Sequence, residues 1–151
     1  MYNTMARSKR LAPILRLAQR KEINAATTMA RARRRLHYYE EKLAELRSYR
    51  SEYGMFMSRG QEGTMSATQL REYQSFIHQL NEGISILAEK IEGQRQLNQR
   101  DEKLWISAKK NTDILDKLII KLKWMERKFA ATQEANEIDE RSAINFKKGE
   151  E

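Results

Sequence analysis

GMFMSRGQEGTMSATQL, residues 54–70, holds the chain's one concentration of helix-breaking and capping residues: Gly54, Gly60 and Gly63, interleaved with Ser58, Thr64, Ser66 and Thr68. A cluster of this kind marks a loop between periodic segments. Ser66, followed three positions later by Gln69 and then by Leu70, reads as a capping box that opens a new helix. Toward the N-terminus, Pro13 suits a first helical turn, where its missing N–H costs nothing. The expected order is therefore a first helix over about 12–57, a loop over about 58–66, and a second helix over about 67–136 or somewhat beyond. A flexible C-terminal tail follows, all within a single elongated domain spanning residues 1–151.

The apolar rhythm on both sides of the loop repeats every seven residues. Leu15, Met29, Leu36, Leu43 and Met57 share one register, and Ala18, Ala25, Ala32, Tyr39, Leu46 and Tyr53 stand three positions further on. This is the a/d seam of a coiled coil, small in its first half and larger toward the loop. After the loop, Leu70, Ile77, Ile84 and Ile91 alternate with Tyr73, Leu80 and Leu87 in the same way. Gln94, Asn98 and Asp101 interrupt that stripe before Trp105, Ala108, Leu115, Ile119, Leu122 and Phe129 restore it. The polar interval is expected either to face solvent opposite the alanine-rich helix or to mark a bend. Two unbroken helices of these extents would run roughly 65 Å and 105 Å. The predicted fold is all-α: a long antiparallel two-helix coiled-coil hairpin that encloses no deep pocket.

Composition closes off most other chemistry. The 151 residues contain no cysteine, no valine and two histidines, His37 and His78. Disulfides, thiolate metal sites and cysteine nucleophiles are excluded, and the lack of valine disfavours a sheet. No apolar run is long enough to span a membrane. Pairs such as Glu41 with Glu45, or Asp113 with Asp116, read as solvated helix faces. The glycines do not form a phosphate-binding loop. No catalytic residue, metal ligand or cofactor is expected.

The net charge of +8 is unevenly distributed. Residues 1–35 carry ten Lys/Arg against the single acid Glu22, and residues 104–132 carry seven against three. A fold-back makes these two regions neighbours. Arg31, Arg33, Arg34 and Arg35 form a basic patch that admits two readings. One is the basic region of a nucleic-acid-binding coiled coil, which requires a parallel dimer; the other is a surface for an acidic protein partner. The hairpin favours the protein partner, and no specific nucleic acid is expected. Residues 1–21, basic and free of acids, also fit a transit helix, although the heptad register begun at Leu15 runs on through them.

Around the loop, Leu46, Tyr49, Glu52 and Tyr53 give the spacing LxxYxxEY, and Tyr73, Gln74, Phe76, Ile77, Leu80 and Ile84 give YxxFIxxLxxxI. This order resembles the FliJ family of the bacterial flagellar export apparatus, and the length and basic flanks fit it across nearly the whole chain. Gly83, Gly93 and the polar interval depart from the pattern. The resemblance implies a coiled coil like the central stalk of rotary ATPases, with no enzymatic activity of its own. Its implied partners are the flagellar export ATPase hexamer, the large export-gate membrane protein and the flagellar export chaperones. The location it implies is cytoplasmic, at the membrane-associated base of the flagellum. A stalk of a related type III virulence secretion system is the alternative machine.

Carried onto this sequence, the ATPase-ring surface falls on Leu11, Leu15, Arg16, Arg20, Lys21, Leu118, Lys121, Lys123 and Met125, with Ala18 and Leu122 beside them. The export-gate surface falls on Phe76, Leu80 and Gly83. Phe76 and Leu80 share a helix face. Phe76 lies beside the seam and is expected to be partly exposed, whereas Leu80 lies within the seam register.

Overall fold

A computed structural model describes residues 6–60 and 65–150. It contains two helices, α1 (Arg7–Gly60) and α2 (Ala67–Gly149), and no strand among the described residues. The two pack against each other, giving the all-α class. They do so in two compact units: one made of residues 25–105, the other of residues up to Asn24 together with Ile106 onward.

Within the 25–105 unit the helices run antiparallel. Arg50 Nη1 donates to Asn81 Oδ1 at 2.9 Å, Arg95 Nη2 meets Glu40 Oε1 at 3.4 Å, and Gln94 Nε2 reaches the Ala32 carbonyl at 3.5 Å. From Arg50 back to Ala32 along α1, the partners on α2 advance from Asn81 to Gln94. Met29, Ala32, Ile84 and Ile91 are the buried apolar residues here. In the other unit Ser8 meets Glu126, and Leu11 shares a groove with Leu118 and Leu122, again antiparallel. Ile119 is its buried apolar residue. Two helices cannot surround a side chain, and none among the described residues is completely buried. Stability accrues along the seam, heptad by heptad.

The heptad register holds along most of both helices but not at its ends in α2: Leu70, beside the loop, is 44% exposed, and Phe129, beyond the Ser8–Glu126 contact, is 64% exposed, so neither packs in the seam. In α1 the more buried positions follow the alternation that contains Leu15, Ala18, Ala25, Met29, Ala32, Leu36, Tyr39, Leu43, Leu46 and Tyr53. In α2 they follow Tyr73, Ile77, Leu80, Ile84, Leu87 and Ile91, then continue through Gln94, Asn98 and Asp101 to Trp105, Ala108, Thr112, Leu115, Ile119 and Leu122. The polar interval therefore faces neither solvent nor a break. Gln94 is 5% exposed and Asp101 7%, and the helix continues through both. They remain in the seam because α1 offers alanines there, leaving room for longer polar side chains. Gln94 Nε2 donates to Asn98 Oδ1 at 2.8 Å, and Arg100 Nη2 donates to Asp101 Oδ1 at 3.3 Å. No buried side-chain nitrogen or oxygen lacks a partner among the described residues.

The helix ends have local causes. At α2, Gln69 N–H donates to Ser66 Oγ at 3.1 Å and Ser66 N–H donates to Gln69 Oε1 at 3.1 Å, the reciprocal capping box. The expected loop falls partly on residues 61–64, including Gly63 and Thr64, which lie outside the described residues; residues 58–60 continue α1. α2 runs past 136 to Gly149, through the segment expected as a tail. That segment includes Glu137, Glu140, Arg141, Ala143, Lys147 and Lys148, all strong helix formers, and the two lysines in the last turn complement the helix dipole. α1 begins at Arg7 rather than near residue 12, so Pro13 sits inside the helix. Its ring deprives the Lys9 carbonyl of its usual i+4 donor.

Candidate protein-interaction surfaces

α1 starts without a capping side chain of its own. Ala6 supplies only a carbonyl, accepting from Lys9 N–H at 2.9 Å and Arg10 N–H at 3.2 Å, and the first turn contains no acid. The missing acceptor comes from α2. Ser8 N–H donates to Glu126 Oε1 at 3.1 Å, and Ser8 Oγ–H donates to Glu126 Oε2 at 2.7 Å. Both bonds favour the ionised carboxylate, and the Ser8 hydroxyl and amide hold Glu126 below the usual carboxylate range, helped by Lys123 and Lys9. A negative charge thus sits at the helix N-terminus, where the exposed N–H groups favour it. Sequence reasoning missed this clasp because its halves are 118 residues apart.

The clasp fixes an end surface in its unit. Arg7, Arg10, Leu11, Leu118 and Leu122 line a groove of about 420 Å³, apolar at its floor and guanidinium-rimmed. Leu11, Leu15 and Ala18 are half-buried in the seam, whereas Arg16, Arg20, Lys21, Lys121 and Lys123 are exposed. Leu118 and Met125 are exposed apolar side chains on the same unit. The structure thus places all nine candidate ring-facing residues in one unit, mixing cations with accessible apolar surface. The N-terminal basic stretch is part of this helix from Arg7 onward; residues 1–5 lie outside the described residues.

In the 25–105 unit, the end nearer the loop is aromatic. Phe76 meets Tyr53 edge-on at 4.7 Å between ring centres and Tyr49 at 5.9 Å, while Tyr53 stacks on Tyr73 at 5.6 Å. These geometries suit the ring quadrupoles. Phe76 is half-buried and engaged by α1, and Leu80 is half-buried in the seam. Gly83 is half-buried, and an added Cβ there meets nothing within 4 Å. Tyr49 and Tyr53 are thus partners of the candidate gate residues, although the sequence reading used them only as a motif.

Arg31, Arg33, Arg34 and Arg35 are all exposed, and no ion pair engages them among the described residues. The antiparallel pairing at this level does not supply the forked parallel dimer of a nucleic-acid-binding basic region. His37 and His78 pair with Glu41 at 2.9 Å and Glu82 at 3.0 Å across one helical turn, exposed in both cases. No group of acids and histidines among the described residues could hold a metal ion. A groove that the sequence did not suggest, about 330 Å³, lies over Ala44 and Ala88 between Arg47 and Arg95, where small seam-flanking residues leave space.

These features define a two-helix protein whose chemistry lies in charged and apolar surfaces, a class suited to assembly with other proteins. A family model described as "Flagellar FliJ protein" matches residues 7–151, and the chain belongs to the FliJ family of flagellar export-associated proteins. No match was found among curated proteins or among solved structures. No helix among the described residues is long and apolar enough to cross a membrane.

Proposed function

We propose that this protein is a non-enzymatic stalk and general chaperone of the flagellar export apparatus, linking the export ATPase ring to the export gate and assisting secretion of flagellar subunits. One observation chiefly supports the reading: the exposed cations Arg16, Arg20, Lys21, Lys121 and Lys123 share a single unit with accessible Leu118 and Met125 and with the Ser8–Glu126 clasp. Cations at the rim of an apolar contact steer encounter and set register with an acidic lining. The surface is held by packed helices, so little ordering is required on binding. Phe76, Leu80 and Gly83 would meet the large gate protein, the absent Cβ of Gly83 permitting close approach. Export chaperones are the third set of partners, with Arg31, Arg33, Arg34 and Arg35 as a surface for acidic proteins. The protein acts from the cytoplasmic side, peripherally at the membrane.

The test is quantitative binding to the cognate flagellar export ATPase, read with ring assembly and ATP hydrolysis, using the wild type and a triple variant Arg16→Glu, Arg20→Glu and Lys121→Glu. Binding that promotes assembly or hydrolysis and is lost in the triple variant is the expected result. A folded, helical wild type that fails to bind under all salt and nucleotide conditions would refute the assignment and direct attention to a virulence secretion ATPase or to nucleic acid.

A further inference from the structure

Beyond Glu126, the last residue of α2 bonded to α1 among the described residues, α2 continues to Gly149 with every residue exposed. Most helical stability in proteins comes from packing an apolar face, and this stretch has no such packing among the described residues. On the side of α2 away from Ile119 and Leu122, a stripe forms from Ile120, Trp124, Ala131, Ile138 and Phe146. Trp124 is 55% exposed, Ile138 61% and Phe146 69%. Lys128 Nζ lies over the Trp124 ring, 5.0 Å from its centre, and Trp124 still keeps more than half of its surface exposed. The spacing keeps all five within one face of a helix turning about 100° per residue.

We propose that two copies of this chain associate antiparallel through this outer face of α2, crossing at Ala131. Charge selects the occupant. Arg127 and Glu134 lie on one flank of the stripe, Lys121 and Asp139 on the other, all four exposed and outside any ion pair among the described residues. Antiparallel pairing about Ala131 sets Trp124 against Ile138 of the second copy, Arg127 against Glu134, and Lys121 against Asp139. Two-fold symmetry repeats each contact. A parallel pair would instead set one flank against the other and bring Glu134 toward Asp139, two like charges. Alanine at the crossing lets the backbones approach closely. The inference is independent of the proposed stalk function.

The experiment uses the full-length chain, whose lack of native cysteine allows clean single-cysteine labelling. Sedimentation equilibrium at low salt would follow the wild type, Arg127→Glu, the swap Arg127→Glu with Glu134→Arg, and Ala131→Glu, with circular dichroism reporting helicity. The expected result is a concentration-dependent dimer whose Kd rises at least about tenfold in each single variant and recovers in the swap. Ala131→Cys, a mild change at the crossing, should oxidise to a disulfide-linked dimer even if a charge variant loses helicity. A wild type that stays monomeric, a dimer indifferent to Arg127→Glu and Ala131→Glu, or an Ala131→Cys protein that never cross-links would overturn the proposal.

Discussion

Replacing Gly83 and Gly93 by alanine should stabilise the protein. Both lie inside α2, and an added Cβ meets nothing within 4 Å at either position. No steric cost therefore offsets the gain in helix propensity, about 1 kcal/mol per site, which arises mainly because alanine has less unfolded-state freedom to lose. The sites are roughly 15 Å apart along the helix, so the double variant should gain about 2 kcal/mol additively. With a urea m-value of about 2 kcal/mol/M, the unfolding midpoint should rise by roughly 1 M. Circular dichroism at 222 nm during urea titration measures the shift. An unchanged or lowered midpoint in the double variant would refute the reasoning, because it would mean that α2 is not the ordered helix at these positions in solution. The same variants separate stability from docking. Gly83→Ala should weaken binding to the gate protein while stabilising the chain, and Gly93→Ala should do only the latter.

Two further outcomes follow from the seam and the clasp. Gln94→Leu removes a buried amide that bonds Asn98 and the Ala32 carbonyl, and it leaves the half-buried Asn98 amide without that partner; thermal unfolding should show a loss of about 1 kcal/mol, and the loss of a register-setting polar residue should broaden amide resonances near Ala32 in NMR spectra. A rise in melting temperature would show that burying the amide costs more than its bonds return. Glu126 has a depressed folded-state pKa, so its stabilising contribution is fully present above the ordinary carboxylate range and is lost as pH falls through the folded value. Hydrogen exchange should accordingly show residues 7–24 opening on acidification in the wild type and not in Glu126→Gln. Identical acid responses in the two proteins would show that the clasp is not the titrating element.

The heptads made the fold legible because a coiled coil writes its packing into one dimension. Leu36, Leu43 and Tyr53 in α1, and Ile77, Ile84 and Ile91 in α2, recur at the period that turns them to a common face, and the capping box at Ser66 marks where the second helix starts. What stayed hidden depends on residues brought together only by the fold. Gln94 and Asp101 look like solvent positions until Ala32 and its neighbours are seen to leave them room in the seam. Ser8 shows no cap signature, because its acceptor is Glu126 on the other helix. Pro13 suggested a helix start for the same reason: the local rule is sound, but α1 begins earlier, where Glu126 caps its first turn, and the helix continues through the proline. Phe76 read as an anchor beside the seam, whereas Tyr49 and Tyr53 engage its ring from α1.

The C-terminal half of α2 distributes its contacts by face. Ile119, Leu122 and Glu126 are committed to α1, and Leu118, Lys121 and Met125 belong to the surface proposed to meet the ATPase ring. Ile120, Trp124 and Ile138 point away from both. Lys121 lies at the border, where it serves the ring-facing surface in one proposal and opposes Asp139 of a second copy in the other. One side chain cannot satisfy both contacts at once. If both proposals hold, self-association and ring engagement compete through Lys121, and each copy released from a dimer would present that lysine together with an exposed Met125 to the next partner it meets.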